Sequence, residues 1–161
     1  MIRNFSKLAL MIAAVVIALD QLTKYWVLSA LQLYERVHVM PMFDLTLAFN
    51  KGAAFSFLAH EDGWQRWFFA GIAVTAVIVL LTWLYHTNKK DTWLVIALSL
   101  VLGGAIGNLI DRIYLSHVVD FILVYWNHHY FPAFNVADSA ITVGAGMLIL
   151  DIFRTKSETI K

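Results

Sequence analysis

The chain has 161 residues, of which 60% are hydrophobic and 14% charged, and its formal net charge is +1. Soluble domains are typically about 45–50% apolar and about 25% charged, so this balance indicates a protein whose solvent is lipid. The small net charge and the lack of a basic helix or nucleic-acid motif predict no nucleic-acid partner. The chain has no cysteine, which excludes disulfides and thiol catalysis.

Four apolar runs follow one another along the chain, and each is long enough to cross a membrane as a helix. A span needs about 20 largely apolar residues. We predict spans at roughly residues 5–28, 67–85, 93–110 and 135–153. The first run is too long for the apolar part of a signal peptide and no Ala-x-Ala-like site follows it, so we predict a retained anchor.

Basic residues predict the orientation of these spans. Cytoplasmic flanks of membrane proteins are enriched in Lys and Arg. This rule places both termini and the "HTNKKD" loop in the cytoplasm, and residues 29–66 and 111–134 outside. The basic residues of the short cytoplasmic flanks are Arg3, Lys7, Lys89, Lys90, Arg154, Lys156 and Lys161. We expect one integral membrane domain over residues 1–161.

Two further patterns predict local structure. The alternating stretch "FDLTLAFN", followed by "KGAAFSF", predicts two short strands joined by a tight turn at Gly52. Gly103 and Gly107 lie four residues apart in the third span, as do Ala140 and Gly144 in the fourth. Small residues at this spacing let membrane helices pack closely, so we predict a packing role for both pairs.

Four carboxylates are predicted to lie at the outer face of the membrane. Asp20 is in the outer part of the first span, Asp111 ends the third, Asp120 follows it, and Asp138 begins the fourth. Ionisable residues in or beside spans are rare and usually functional, because charge in lipid costs free energy. Their common depth therefore indicates a functional site.

Structural roles account for part of this set. Asp20 and Lys24 are four residues apart on one helical face, which favours an ion pair. Asp111 and Arg112 are at the expected interface, and Asn108, one turn earlier, is placed to anchor Arg112 by a hydrogen bond. Asn108 and Arg112 are thus interpreted as scaffold or substrate-positioning residues.

Asp138 and Asp120 raise a sharper question. Asn135 and Asp138 have the spacing of a helix cap, and the positive end of the helix dipole favours an anion there, so Asp138 is equally a cap or a catalyst. Asp120 lies in the apolar stretch "VVDFI", where a buried carboxylate needs a partner, and Asp138 is the nearest candidate. Two adjacent carboxylates share one proton, which is the chemistry of an aspartic protease.

Other chemistries have weaker support in the sequence. A zinc site from His117, Asp120 and His128 is conceivable, but no "HExxH" occurs, and we predict neither metal nor cofactor. A Ser–Lys dyad is disfavoured because Lys24 is expected to pair with Asp20. Two alternatives from other classes stay open: a small proton-coupled transporter or channel with the carboxylates as a relay, and a non-catalytic membrane scaffold.

The order of short motifs is similar to that of the lipoprotein signal peptidases, the type II signal peptidases of bacteria. The resemblance covers residues 5–153. Its motifs are "DQLTK" at 20–24, "NKGAAF" at 50–55, "GGAIGNLIDR" at 103–112, "VVDF" at 118–121 and "FNVADSAI" at 134–141.

The resemblance implies an intramembrane aspartyl endopeptidase of the bacterial inner membrane, working without a cofactor. It implies that Asp120 and Asp138 are the catalytic pair. The positions that match the family's other polar residues are Asp20, Lys24, Asn50, Gly52, Asn108, Arg112 and Asn135. The implied fold is an all-α membrane protein, a four-transmembrane-helix bundle with a small extracytoplasmic β-cradle and a short surface helix. The implied partners are diacylglyceryl-modified prolipoproteins, cut just before the lipidated cysteine, together with membrane lipid and globomycin-type inhibitors; we expect a monomer.

Overall fold

A computed structural model describes residues 6–52 and 64–158. Four long helices alternate with the strands of one small sheet. The helices are α1 (Lys7–Ala30), α2 (Trp64–His86), α3 (Thr92–Tyr114) and α4 (Val136–Glu158), and the strands are β1 (Arg36–Met40), β2 (Phe43–Asn50), β3 (Val118–Trp126) and β4 (His129–Tyr130).

Each predicted span overlaps one of the four helices. All four helices are long and apolar enough to cross a membrane, by length and composition. The departure that matters for the site is in α3, which continues to Tyr114 and so carries Asp111 and Arg112 in its last turns rather than beyond its end. Both side chains are therefore fixed by helical geometry.

The sheet is antiparallel, with strand order β1-β2-β3-β4. Strand β2 is the predicted "FDLTLAFN" strand. The predicted "KGAAFSF" strand falls largely at 53–57, outside the described residues. Strand β3 pairs with β2 and places Asp120 opposite Ala48. This strand was missed, because "VVDFILVYW" is a nearly continuous apolar run without alternation. Within residues 6–52 and 64–158, the α-helices are these four long ones. The short surface helix therefore stays a prediction.

Small residues bring α3 close to both α1 and α4. A Cβ atom added to Gly103 would lie 2.8 Å from Cβ of Val16 in α1, and one added to Gly144 would lie 2.7 Å from the carbonyl oxygen of Ala97 in α3. Neither contact leaves room for a side chain. The predicted packing role of Gly103 and Gly144 is confirmed, and α3 is the central helix of the bundle.

Two hydrophobic clusters hold the elements together. The first lies among the helices and includes Ala9, Leu80 and Leu98. The second lies between α1 and the sheet and consists of buried Val27, Leu47, Val119 and Phe121. Large apolar side chains also cover the outer helical surface, as expected where lipid rather than water is the surroundings.

Candidate active site

Lys24 occupies the centre of a buried ionic cluster where α1 and α3 meet. Its Nζ atom lies 2.8 Å from Oδ2 of Asp20 and 2.9 Å from Oδ2 of Asp111. It also donates a hydrogen bond of 3.0 Å to Oδ1 of Asn108. All three ammonium donors are thus used, and the predicted Asp20–Lys24 pair is one part of a larger network.

The two carboxylates of this cluster also bind backbone groups of other elements. Oδ1 of Asp20 accepts a hydrogen bond of 2.9 Å from the backbone N–H of Ala137, in the first turn of α4. Oδ2 of Asp111 accepts one of 3.0 Å from the N–H of Val119, next to Asp120 in β3. The cluster therefore fixes the start of α4 and the start of β3 relative to α1 and α3.

Asp138 begins α4 in a reciprocal cap. The backbone N–H of Asp138 donates to Oδ1 of Asn135 at 2.9 Å, and the N–H of Asn135 donates to Oδ2 of Asp138 at 3.3 Å. The predicted capping arrangement is confirmed. Oδ1 of Asp138 is left to accept a hydrogen bond of 2.7 Å from Nδ2 of Asn108.

Asp120 is 2% exposed and is held by two amides. Nδ2 of Asn135 donates to its Oδ1 at 2.7 Å, and Nδ2 of Asn50 donates to its Oδ2 at 3.0 Å. Asn50 is itself fixed by the N–H of Gly52, which donates to its Oδ1 at 2.8 Å. Gly52 has φ of +102°, a conformation that favours glycine.

Asn135 and Asn108 link the two carboxylates. Nδ2 of Asn135 contacts Oδ1 of Asn108 at 3.2 Å as well as Asp120, and Asn108 in turn donates to Asp138. Among the described residues, no ion pair within 4.0 Å joins Asp120 or Asp138 to a cation. The side chains that donate hydrogen bonds to the pair, among the described residues, are therefore neutral amides.

Burial raises the pKa of Asp120 from 3.8 to about 6, and hydrogen bonds from Asn50 and Asn135 oppose that rise. The negative charge of Asp138 adds to the rise. Burial has the larger effect because removing an ionised carboxylate from water costs more than two amide hydrogen bonds return. Asp120 can therefore hold a proton at a mildly acidic pH at which an exposed carboxyl has lost it.

Arg112 lies beside this pair. Its Nη1 atom donates to the backbone carbonyl oxygen of Asn108 at 3.2 Å, so the predicted anchor is present through the backbone. The guanidinium carbon is 6.0 Å from the ring centre of Phe69. One helical turn thus orients the guanidinium group near the carboxylates.

Comparison with known proteins identifies the family. The model of the signal peptidase II family matches residues 12–154. The chain belongs to the signal peptidase II family. Members are aspartic peptidases that remove signal peptides from prolipoproteins, so the chain is an enzyme of this class. The transporter alternative has no support.

Individual relatives agree with the family match. The chain is 60% identical over 156 residues to the lipoprotein signal peptidase of Pseudomonas putida, covering 95% of this chain and 91% of that protein. It is 59% identical over 149 residues to that of Pseudomonas aeruginosa, covering 91% and 88%. A bacterial membrane enzyme solved by the in meso method at 1.9 Å resolution superposes with a TM-score of 0.82 at 29% identity, covering 94% of this chain and 97% of that one.

All residues that the sequence grouped for the candidate site lie in one hydrogen-bonded region, at the end of the bundle that carries the sheet. The sequence interpretation missed Gln21, whose Nε2 donates to Oδ1 of Asp111 at 2.9 Å and contacts Oδ2 of Asp20 at 3.2 Å. Its place in "DQLTK", directly after Asp20, was the available signal.

His117, one of the two histidines of the zinc alternative, packs against an aromatic ring. The His117 ring packs on Phe49 with ring centres 4.0 Å apart, and burial lowers the pKa of its imidazole. Among the described residues, no group of three or more His, Asp or Glu side chains is arranged to hold a metal ion. The geometry near Asp120 thus favours amide partners over metal ligands.

Proposed function

We propose that Asp120 and Asp138 are the catalytic pair of this signal peptidase II enzyme. The observation that carries the proposal is a pair of carboxylates joined through Asn135 and Asn108, with no ion pair within 4.0 Å to a cation among the described residues. Amide donors leave the pair free to keep one proton, whereas a lysine at the same place would hold both carboxylates ionised.

The reaction then follows the aspartic protease pattern. The ionised carboxylate accepts a proton from water, and the water oxygen attacks the carbonyl carbon of the scissile peptide bond. The protonated carboxyl donates a hydrogen bond to the carbonyl oxygen, where negative charge develops. The tetrahedral intermediate collapses when the amide nitrogen gains a proton and the carbon–nitrogen bond breaks.

The remaining polar residues position this pair. Asn50, Asn108 and Asn135 orient the carboxylate oxygens by direct hydrogen bonds. Asp20 and Lys24 act at one remove, by fixing the first turn of α4. Gly52 fixes Asn50, and Arg112 places a positive charge near the oxygen that becomes negative.

The substrate is a prolipoprotein whose lipobox cysteine carries a diacylglyceryl group, and the cut falls just before that cysteine. Acyl chains in the outer leaflet hold the scissile bond at the interface, where we place the two aspartates. Both termini are then cytoplasmic, as the Lys and Arg distribution predicts. Globomycin-type inhibitors occupy the same site, and one chain suffices, because all the proposed site residues come from a single protomer.

Cleavage of a defined substrate tests this proposal. Purified protein in detergent or bilayers is incubated with a lipobox peptide that carries diacylglyceryl-cysteine, and mass spectrometry locates the cut. We expect cleavage before the cysteine, a much slower reaction with the unlipidated peptide, and no cleavage by folded Asp120→Asn or Asp138→Asn protein.

Other outcomes are equally informative. A cut elsewhere, or equal rates with both peptides, contradicts the substrate assignment. Activity that survives Asp138→Asn in folded protein returns that residue to the role of a helix cap and directs attention to Asp20 and Asp111.

A further inference from the structure

The side chain of Phe69, in α2, packs against the backbone of Gly52, next to the proposed site. A Cβ atom added to Gly52 would lie 2.1 Å from Cε2 of the Phe69 ring, far inside van der Waals contact. Real Cβ atoms do not approach other atoms so closely, so the ring and a side chain at position 52 exclude each other. The positive φ of Gly52 and this contact together require glycine there.

The contact is the outer end of a short chain of interactions that reaches Asp120. Gly52 donates its N–H to Oδ1 of Asn50, and Nδ2 of Asn50 donates to Oδ2 of Asp120. A ring that fixes Gly52 therefore also fixes which way the Asn50 amide points.

The start of α2, which carries this ring, is anchored to the end of α3. Arg66 donates from Nε to the carbonyl oxygen of Arg112 at 2.9 Å and from Nη2 to that of Ile113. These oxygens belong to the last turn of α3, where helical carbonyl groups need outside partners and a cation is favoured. Phe69, one turn further along α2, packs against Gly52, and its ring centre is 6.0 Å from the guanidinium carbon of Arg112.

We propose that Phe69 is a positioning residue of the peptidase, whose ring holds the Gly52 turn so that the Asn50 amide stays directed at Asp120. This inference rests on the proposed catalytic role of Asp120. Phe69 acts through Gly52 and Asn50, so its effect is on the chemical step rather than on substrate binding.

Loss of the ring changes the proton affinity of Asp120. The Asn50 hydrogen bond stabilises the ionised carboxylate and so opposes the rise in its pKa. When the amide is released, Asp120 keeps its proton to a higher pH. The alkaline limb of kcat/KM, which reports the free enzyme, then moves to higher pH. Misplacement of a catalytic group typically costs up to roughly 100-fold, so we expect kcat to fall by roughly 10–100-fold with KM little changed.

The first test compares Phe69→Leu and Phe69→Ala with Ile72→Ala, a matched control on α2 whose side chain is 52% exposed. Cleavage of the lipidated peptide gives kcat, KM and the pH profile, and thermal unfolding establishes that each variant is folded. We expect the kcat loss and the shifted alkaline limb in both Phe69 variants and wild-type values in the control. A wild-type kcat and pH profile in folded Phe69→Ala overturns the inference.

A readout independent of cleavage separates this inference from the proposed function. Infrared difference spectra follow the protonated carboxyl band of Asp120, assigned by its loss in Asp120→Asn. We expect the band to persist to higher pH in Phe69→Ala than in wild type, and an unchanged titration overturns the inference. If wild type does not cleave, or Asp120→Asn does, the proposed function fails, and the infrared titration alone decides whether Phe69 controls Asp120.

A double-mutant cycle tests the contact itself. Gly52→Ala in the wild-type background forces Cβ into the ring, whereas Phe69→Ala removes the atoms that it would meet. The backbone strain of a positive φ is the same in both backgrounds. We therefore expect Gly52→Ala to lower kcat by a smaller factor in the Phe69→Ala background. If Gly52→Ala lowers kcat by the same factor in both backgrounds, the proposed contact between the Phe69 ring and Gly52 is contradicted.

Discussion

Two pairs of carboxylates lie at the same end of this molecule, all buried except the half-buried Asp138, and they differ in which groups lie between them. Asp20 and Asp111 flank the ammonium group of Lys24 at 2.8 and 2.9 Å. Asp120 and Asp138 are joined instead by the amides of Asn135 and Asn108. The same residue type is thus paired with a buried ammonium group in one pair and hydrogen-bonded by neutral amides in the other.

This difference teaches how a small membrane enzyme divides its acidic residues between structure and chemistry. A buried ion pair is costly to disturb, because removal of one partner leaves an uncompensated charge. Amide donors support a carboxylate in either protonation state, since a carboxyl group keeps acceptor capacity when protonated. The predictions below separate the two pairs, from the largest expected effect to the smallest.

The two carboxylate pairs should differ most in their effect on the cleavage rate. Asp120→Asn or Asp138→Asn removes one member of the proposed acid–base pair, and we expect cleavage per folded molecule to fall by about 10²–10⁴-fold or more. Asp44→Asn is the matched control, because Asp44 is a buried carboxylate of the same sheet that contacts His38 instead. A comparable loss of cleavage in Asp44→Asn would contradict a special role of Asp120 and Asp138.

The ionic cluster is expected to dominate stability. Lys24→Met leaves Asp20 and Asp111 buried without their cation, and we expect it to lower the free energy of unfolding by about 3–5 kcal/mol. Denaturant titration in detergent measures this loss. The triple variant with Asp20→Asn and Asp111→Asn removes the orphaned charges and should recover a large part of the loss. A Lys24→Met protein as stable as wild type would contradict a structural role for the cluster.

The raised pKa of Asp120 should be visible in the pH dependence of stability. Burial raises the pKa of Asp120 from 3.8 to about 6, so in this window the folded state binds the extra proton and wild type loses stability as pH rises. Asp120→Asn lacks this titration. The unfolding free energy of the variant relative to wild type should therefore increase between pH 4 and 6, by on the order of 2 kcal/mol. A difference independent of pH would mean that Asp120 does not hold a proton at a raised pKa.

Filling a closely packed position beside the ionic cluster should change the free energy of unfolding by a smaller amount. A Cβ atom at Gly107 would lie 2.6 Å from Oδ2 of Asp20, whereas one at Gly146 has no heavy atom within 4 Å. We expect Gly107→Ala to lower the unfolding free energy by about 1–3 kcal/mol. Gly146→Ala should be neutral or slightly stabilising, because alanine favours helix. Equal effects of the two substitutions would show that α1 can move away from α3 at no cost.

Metal removal should have no effect. The proposed pair activates water by itself, so we expect a chelator to leave the cleavage rate unchanged. Loss of cleavage with a chelator, restored by zinc, would revive a metal site at His117 or His128.

Much of this protein was determined by its sequence alone. Long apolar runs in a chain with few charges have to become membrane helices, because lipid cannot satisfy an open backbone. The i,i+4 spacing of Asp20 and Lys24 and the cap spacing of Asn135 and Asp138 are local, so both contacts follow from helical geometry. The small residues of α3 predicted its close packing for the same reason.

Tertiary structure decided the rest, since it depends on residues that are far apart in the chain. Lys24 reaches Asp111 across 87 positions of numbering only because α1 and α3 pack side by side. Strand β3 is recognisable by its pairing with β2, which brings the side-chain amide of Asn50 within hydrogen-bonding distance of Asp120. No sequence pattern marks Phe69 or Arg66, whose contacts with Gly52 and the end of α3 arise where separate elements meet. Local spacing thus fixes caps and helix pairs, and packing alone determines which carboxylates receive a cation and which receive amides.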